Sequence, residues 1–299
     1  MYQPVSDDVK KTVCQAVSDM GENTYNSEIA FFGGSFTAID RNYMRQLLGS
    51  TKEYIDKFKG IRISTRPDCI DDEILQILKS YKVTSIELGA QSMDDSVLRL
   101  NERGHTATDV VKASELIKKY DFSLGLQMMT GLYGSDFYKD IYTADEFIKL
   151  RPDAVRIYPT VIMQDTELAE IYLRGEYTPY TLEESVDLCS KLLLKFEDEK
   201  ISVIRLGLHY SESLVKNSYG NNYHPAFKEL CENKIFFDKI LNEIEKCKKS
   251  KGKLMVSVNP KSLSKLIGQK KNNIIMFNSL GYEIITRTDK NLGKYEIYI

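Results

Sequence analysis

The first two-thirds of the chain alternates short apolar strands with amphipathic helices. Apolar segments that fit strands lie at residues 28–33, 60–64, 83–88, 122–128, 154–158 and 201–206, and helical patterns lie between them. This βαβα order predicts parallel strands joined by helical crossovers. We therefore predict an α/β fold, either a barrel or a doubly wound sheet.

Polar or glycine-rich turns follow the predicted strands. They are Gly33-Gly34-Ser35, Ser64-Thr65-Arg66, Gly89-Ala90-Gln91-Ser92, Gln127-Met128 and Tyr158-Pro159. In both architectures, ligands bind at the carboxyl ends of the strands. The sequence therefore predicts one binding site at this edge of the sheet.

Several of these residues could contact a ligand, but each also has a structural role open to it. Gly33 and Gly34 would let a ligand approach the backbone and would leave amide groups for a charged group, or they would form an ordinary turn. Arg66 could bind a carboxylate or phosphate through two hydrogen bonds, or it could pair with Asp68.

Two further residues could carry acid–base chemistry. Glu87 lies inside an apolar strand, where an unpaired charge is costly, so we expect Arg66 or Arg103 to be its partner. His105 stands at a helix start, where a cap or a structural contact is commoner than a general base. Met128, at a strand end, is interpreted first as a packing residue.

The beginning of the chain departs from the barrel pattern. Residues 5–19 predict an amphipathic helix capped near Ser6 with acidic residues in its first turn, whereas a barrel of βα units should begin with a strand. No apolar run approaches the ~18–20 residues of a membrane span. The N-terminus also lacks the basic start and apolar core of a signal peptide, so we expect a cytoplasmic protein that does not contact membranes.

The pattern changes near residue 226. We predict two domains, 1–215 and 226–299, the second being a small α+β domain of βααββ order. Residues 226–299 hold 15 Lys and Arg but 8 Asp and Glu, a charge of +7, against -9 for the remainder. This basic domain suggests an anionic partner, and a solvated lysine-rich surface is the alternative.

The five cysteines are far apart, at positions 14, 69, 189, 231 and 247. No CxxC or CxxxCxxC spacing is present, so neither a disulfide framework nor a self-contained metal site is predicted. We expect reduced and mostly buried thiols, because a free cysteine usually behaves as a small apolar residue.

An ordered set of motifs resembles the radical S-adenosylmethionine (SAM) barrel of the elongator catalytic subunit and its bacterial relatives. The motifs are GGSF, STRPD, GAQS, ERGHT and MMTGLYG, followed by residues 156–161 (RIYPTV), 166–168 (TEL) and 175–180 (GEYTPY). The likeness covers about residues 5–210. It implies a partial (β/α)6 barrel of the TIM type that lacks its first strand and binds SAM.

The resemblance also implies which residues contact SAM: Gly33, Gly34, Ser35, Ser64, Arg66, Gln91, Gln127 and Met128. The first three would hold the methionyl amino group, and the next two would face the ribose or the carboxylate. The last three would line the face shared by SAM and substrate. In the family, SAM bound to a [4Fe–4S] cluster yields a 5′-deoxyadenosyl radical, and the protein positions and shields this chemistry.

The chain departs from the family at the cluster cysteines, which in the family lie between the first strand and the first helix. Cys14 lies within the first helix and Cys69 beyond the second predicted strand, so neither can replace them. We therefore expect that this chain alone does not cleave SAM reductively. The cluster segment was either cut from a longer protein, which we favour, or lost from a natural barrel. An open first edge of the barrel predicts self-association.

The basic domain has a likeness of its own. Residues 254–274 resemble the βαα core of a KH RNA-binding domain, in which a GxxG loop clamps the backbone of about four nucleotides. Gly268, Gln269, Lys270 and Lys271 stand at this loop. Lys271 replaces the second glycine, which would either hinder close approach or add a phosphate contact. A purely structural module or a protein interface is the alternative.

These observations together predict a radical SAM-type body that acts in RNA modification, with tRNA as the favoured RNA and a base as the favoured target. We recognise no acetyltransferase domain, so the full elongator reaction is not carried over. One alternative is a non-catalytic module that binds SAM or RNA. The other is an ordinary barrel enzyme that uses Glu87 and His105 for acid–base chemistry.

Overall fold

The computed structural model describes residues 3–220 and 222–299, which form two compact units. The first unit contains the described residues up to Tyr158 together with Lys200–Arg205. The second contains the described residues of Pro159–Glu199 and Leu206–Ile299. The division into domains 1–215 and 226–299 was predicted from the change in sequence pattern, and it stays a prediction.

Helices and strands alternate from the start of the described chain to the end of the main sheet. In order they are α1 (Ser6–Met20), β1 (Glu28–Phe31), α2 (Arg41–Gly49), β2 (Gly60–Thr65), α3 (Asp72–Ser80), β3 (Val83–Gln91), α4 (Asp95–Leu100), α5 (Ala107–Lys119), β4 (Ser123–Thr130), α6 (Phe137–Leu150), β5 (Ala154–Pro159), β6 (Ile162–Met163), α7 (Glu167–Leu173), α8 (Leu182–Asp198) and β7 (Ser202–Leu206). The later elements are α9 (Glu212–Lys216), β8 (Ser218–Tyr219), α10 (Phe227–Lys246), β9 (Gly252–Val258), α11 (Leu263–Ile267), α12 (Asn272–Ser279), β10 (Tyr282–Thr288) and β11 (Ile297–Tyr298).

One curled six-stranded sheet, ordered β1-β2-β3-β4-β5-β7, organises the first unit. Strands β1 to β4 pair in parallel, with Ile29 opposite Ile61 and Ile63 opposite Ile86. Consecutive parallel strands joined by helices give a sheet of the partial-barrel type. The predicted α/β class and the six predicted strands are confirmed.

The two faces of this sheet differ in chemistry, because successive side chains of a strand point to opposite faces. One face carries apolar residues that are at most 9% exposed, including Ile29, Ile61, Ile63, Ile86, Leu88, Leu124, Leu126, Val155 and Ile157. The alternate positions carry polar side chains at Glu28, Arg62, Ser64, Ser85, Glu87, Gln127 and Arg156. Since the helices of a partial barrel form its outer layer, the apolar face packs against them and the polar face is the inner face of the curled sheet.

The cap of α1 differs from the prediction. Its N-cap is Val5, one residue before the predicted position near Ser6, and the Val5 amide donates to Oδ2 of Asp8 at 2.8 Å. An acidic residue at the third helical position can satisfy the cap amide whatever the cap side chain is. The acidic first turn, Asp7 and Asp8, is as predicted.

The second unit contains the packed helices α8 and α10 and a three-stranded sheet. Strand β9 is central, parallel to β10 and antiparallel to β11. The order β9-α11-α12-β10-β11 confirms the predicted βααββ order. A short antiparallel ladder, β6 with β8, was not predicted. None of the described helices is long and apolar enough to cross a membrane.

Candidate functional site

The turn after β1 is tied directly to the end of β2. Gly33 and Gly34 have φ values of 112° and 63°, which a residue with a side chain adopts only with strain. The Ser35 hydroxyl lies 2.8 Å from that of Thr65 and accepts a hydrogen bond from the Arg66 amide at 3.0 Å. Two of the predicted site segments therefore meet at the carboxyl edge of the sheet.

Threonine hydroxyls that the sequence reasoning missed complete this junction. The Thr37 hydroxyl lies 2.6 Å from that of Thr65 and donates to the carbonyl of Cys69, also at 2.6 Å. Both threonines are buried. Thr65 lies within the STRPD motif and Thr37 directly follows the GGSF motif, but only the tertiary fold brings the two hydroxyls together.

A buried carboxylate lies at the centre of the polar face. Glu87 is 1% exposed and contacts Arg156 through two hydrogen bonds, of 2.5 and 2.9 Å. Arg62 adds a third, of 3.0 Å. The expectation that Arg66 or Arg103 would be the partner is wrong, because arginines on the same inner face of β2 and β5 reach Glu87 instead.

The charge network extends to the first strand. Arg62 donates to Oε2 of Glu28 at 2.5 and 2.8 Å, and the Ser85 hydroxyl donates to Oε1 at 2.8 Å. Burial raises the pKa of Glu28, but the hydrogen bonds from Arg62 and Ser85 outweigh burial and hold it below its ordinary value. Burial lowers the pKa of Arg156, and the contacts with Glu87 reverse this, so its pKa is raised.

Gln127 joins the charge network to a predicted SAM residue. Its Nε2 donates to Glu87 at 2.8 Å and to the Ser64 hydroxyl at 3.2 Å. Gly125, on the same face of β4, leaves the space that Glu87 occupies, since a Cβ there would lie 2.7 Å from Cγ of Glu87. The glycine is therefore needed for the carboxylate to sit at the centre of the face.

Arg66 pairs with Asp68, one of the two roles open to it from sequence. Its Nε and Nη2 donate to the two carboxylate oxygens at 2.9 and 2.6 Å. This pairing raises the pKa of Arg66 and lowers that of Asp68. The Arg66 side chain remains about 40% exposed, so a ligand at the strand ends can still reach it.

Gln91 and Met128, the remaining strand-end residues, are both buried. Gln91 is 8% exposed and has φ of 65°, at an irregularity in the β3–β4 pairing. Met128 is fully buried, as a packing residue would be.

The ring nitrogens of His105 lie 3.1 Å from the Ala90 carbonyl and 3.3 Å from the Arg103 carbonyl. His105 and Glu87 thus have separate partners, which does not favour an acid–base pair.

The turn between α11 and α12 has an unusual backbone. Gly268, Lys270 and Lys271 have φ values of 81°, 51° and 63°. Left-handed conformations are strained for residues with a Cβ, and strain of this kind often accompanies a binding role. Within residues 3–220 and 222–299, neither Lys270 nor Lys271 forms an ion pair. Both ammonium groups are therefore available to an anion.

The five cysteines differ in exposure. Cys14 and Cys247 are exposed, Cys69 is half-buried, and Cys189 and Cys231 are buried, so the expectation of mostly buried thiols is wrong. The described part of the chain contains no group of three or more His, Cys, Asp or Glu side chains that could hold a metal ion.

Comparison with known proteins assigns the family. Residues 13–148 match the Radical SAM superfamily, and residues 152–236 match the Radical_SAM C-terminal domain. The chain belongs to the radical SAM superfamily, as the motifs predict.

Among radical SAM proteins, the chain is similar to the tRNA uridine(34) acetyltransferase of Methanocaldococcus jannaschii. The identity is 32%, over 60% of this chain and 37% of that protein. Elongator complex protein 3 of Schizosaccharomyces pombe is 29% identical over the same shares. The chain thus spans well under half the length of these curated relatives.

A solved structure supports the fold. The archaeal Methanocaldococcus infernus Elp3 with N-terminus deletion (1-46) superimposes with a TM-score of 0.63 at 23% identity. The match covers 81% of this chain and 59% of that chain. It confirms the partial-barrel architecture.

Proposed function

We propose that this chain is the SAM- and RNA-binding body of a radical SAM protein that modifies a tRNA base. The observation that carries the proposal is that the family match over 13–148 contains the polar strand ends described above. The similarity to tRNA uridine(34) acetyltransferases supports tRNA as the RNA.

For SAM, the proposed contacts are Gly33, Gly34, Ser35, Ser64, Arg66, Gln91, Gln127 and Met128. The free amides of a turn with positive φ and the exposed guanidinium of Arg66 suit an amino-acid group, which carries both charges. When bound at a reduced cluster, SAM supplies the 5′-deoxyadenosyl group for radical chemistry. The residues of this chain would hold and orient SAM, and the buried Glu87 network would keep the inner face rigid.

For RNA, the proposed contacts are Gly268, Gln269, Lys270 and Lys271. The two unpaired lysines and the strained turn suit a phosphate backbone, as in a KH-like loop. The net charge of +7 over residues 226–299 supports an anionic partner. We also propose a cytoplasmic location, as expected for tRNA modification, and self-association through β1, which pairs only with β2 in the described chain.

The RNA part is tested by measuring tRNA affinity against salt concentration for the double variant Lys270→Glu/Lys271→Glu. Losing two phosphate contacts should weaken binding and reduce the salt slope by about 2. The control, Lys10→Glu/Lys11→Glu on α1, makes the same charge change on exposed residues. Equal effects of the two variants would contradict a specific role for the turn.

The SAM part is tested by calorimetric titration of SAM into the variant Gly34→Ala. Alanine at positive φ costs about 1 kcal/mol or more and should distort the turn, weakening SAM binding about tenfold. Gly175→Ala is a matched control, because Gly175 also has positive φ and open space where the alanine Cβ would lie. If the unaltered chain binds neither SAM nor tRNA, the proposed function is wrong.

A further inference from the structure

A cleft of about 820 Å³ lies within the second unit, beside the turn between α11 and α12. Its volume falls in the range of about 300–1,000 Å³ that is usual for ligand pockets. Most of its walls are apolar side chains from the helices α8, α10 and α12, namely Leu182, Val186, Leu230, Phe237, Ile275 and Met276. Among the described residues, no strand contributes to these walls. The cleft is therefore formed by helices, and neither face of the three-stranded sheet takes part in it.

Two of these walls offer apolar surface that the fold leaves uncovered. On α12, Ile275 is 60% exposed and Met276 is 40% exposed. On α10, the half-buried ring of Phe237 packs against Phe277, with the ring centroids 4.7 Å apart. Phe277 is fully buried, so it fixes the orientation of the Phe237 ring. A ring held in this way, beside exposed apolar side chains, is a surface on which a planar ligand ring can stack.

An unpartnered amide also lines the cleft. Asn233 is 6% exposed, and its Oδ1 is buried with no donor among residues 3–220 and 222–299. Its backbone carbonyl accepts a hydrogen bond from Nδ2 of Asn273 at 2.9 Å, which holds α12 against α10. A buried acceptor without a donor opposes folding. A ligand that donates to this amide therefore explains its position better than packing does.

The charges of the lining residues favour an anion on the side of the turn. Lys270 lines the cleft, and in the described part of the chain it forms no ion pair. Lys234, the other lysine of the lining, is paired with Asp187 at 3.4 Å and Asp238 at 2.6 Å. Glu183, on α8, is an exposed carboxylate. An anionic group should therefore lie near Lys270 and away from α8.

We propose that this cleft binds one unpaired nucleobase of a single-stranded RNA segment. The base stacks on Phe237, its hydrogen-bonding edge meets the Asn233 amide, and its phosphate lies on Lys270. An asparagine amide offers two donors and an acceptor, which can pair with the edge of a base. A base within a duplex has that edge occupied, so the site selects unpaired nucleotides. The source of the base in tRNA rests on the proposed function, whereas the cleft itself does not.

The test measures the affinity of a fluorescein-labelled single-stranded RNA of mixed sequence by fluorescence anisotropy. Phe237→Leu keeps an apolar side chain but removes the ring, and it should raise the dissociation constant about tenfold. The salt slope should stay unchanged, because stacking releases no counterions. Phe237→Tyr keeps the ring and should retain the affinity. The control, Tyr298→Leu, removes a ring of the same unit that is 72% exposed and lies outside the cleft, and it should leave the affinity unchanged.

A set of RNAs that each lack one base connects the effect to the base. In the unaltered chain, removing the base that enters the cleft should weaken binding about tenfold, and in Phe237→Leu the same removal should have no further effect. Additive losses at every position would mean that no base meets the ring, and the proposal would be overturned. If Phe237→Leu does not fold, Ile275→Gln, which changes an exposed side chain of the same cleft, carries these measurements.

Asn233→Leu tests the polar wall of the cleft. This substitution removes the unsatisfied acceptor at similar volume, so it should weaken RNA binding without lowering the melting temperature. A lower melting temperature with unchanged RNA affinity would assign Asn233 to packing alone and overturn its role in the site.

Failure of this proposal and failure of the proposed function give different results. If Phe237→Leu binds RNA as well as the unaltered chain, while Lys270→Glu/Lys271→Glu binds it less, only the cleft is wrong, and a protein partner becomes its occupant. If the unaltered chain does not bind tRNA but binds single-stranded RNA through Phe237, the cleft stands and the proposed function is wrong.

Discussion

Replacing Glu87 by glutamine would remove the negative charge at the centre of the polar face while keeping the shape of the side chain. Arg62 would retain Glu28, but Arg156 would lose its carboxylate partner. The Arg156 side chain is 16% exposed, so water can replace only part of what is lost. The main consequence is one poorly compensated guanidinium inside the curled sheet.

The size of the effect follows from this geometry. Removing one partner of a buried ion pair typically destabilises by about 3–5 kcal/mol. We expect the lower end, about 3 kcal/mol, because Arg62 keeps a second carboxylate and Arg156 keeps partial access to solvent. The ring of Phe32, whose centroid lies 5.0 Å from Cζ of Arg156, also offers some compensation.

Urea unfolding followed by circular dichroism measures this loss as a shift in the midpoint. The control is Glu146→Gln, which breaks a pair with Lys149, whose side chain is 69% exposed. That pair should contribute less than about 1 kcal/mol. Equal losses for Glu87→Gln and the control would refute the reasoning. The double variant Glu87→Gln/Arg156→Gln should recover part of the loss, because it removes the uncompensated charge as well.

Three further outcomes follow from single contacts. Gly125→Ala should destabilise by about 1–3 kcal/mol in urea unfolding, because the new Cβ would displace Glu87; an unchanged midpoint would count against the close approach. Arg62 and Ser85 hold the pKa of Glu28 below its ordinary value of 4.5. The ionised Glu28 carboxylate therefore contributes fully to folding stability above pH 4.5, and this contribution disappears as the pH falls through the pKa of the folded state. Glu28→Gln should therefore reduce the fall of the melting temperature as the pH decreases, and an unchanged fall would contradict this role of Glu28. Burial raises the pKa of Cys231 well above its usual range, so this thiol should react with a disulfide reagent only on unfolding, after the exposed cysteines; early labelling seen by mass spectrometry would contradict this.

The sequence was sufficient to predict the order of the elements and to place the polar turns at one edge of the sheet. Strand and helix periodicity and turn residues are local properties, so the six strands and the βααββ order could be read without tertiary contacts. The motifs that follow the strands also occur in the order typical of the family, and this order was enough to indicate it. The cap of α1 was predicted one residue too late, because the group that satisfies the cap amide, the Asp8 carboxylate, belongs to the helix rather than to the cap residue.

The partners of charged groups were decided by the tertiary structure. Glu87 could be recognised from sequence as a buried charge that needs compensation, but not as the partner of Arg156, 69 residues away. Alternation along a strand assigns a side chain to a face, whereas strand order and register decide which side chains meet on that face. The same reason applies to Arg103. Its sequence context suggested a partner for Glu87, whereas the packing of the strands brings Arg62 and Arg156 to that carboxylate instead.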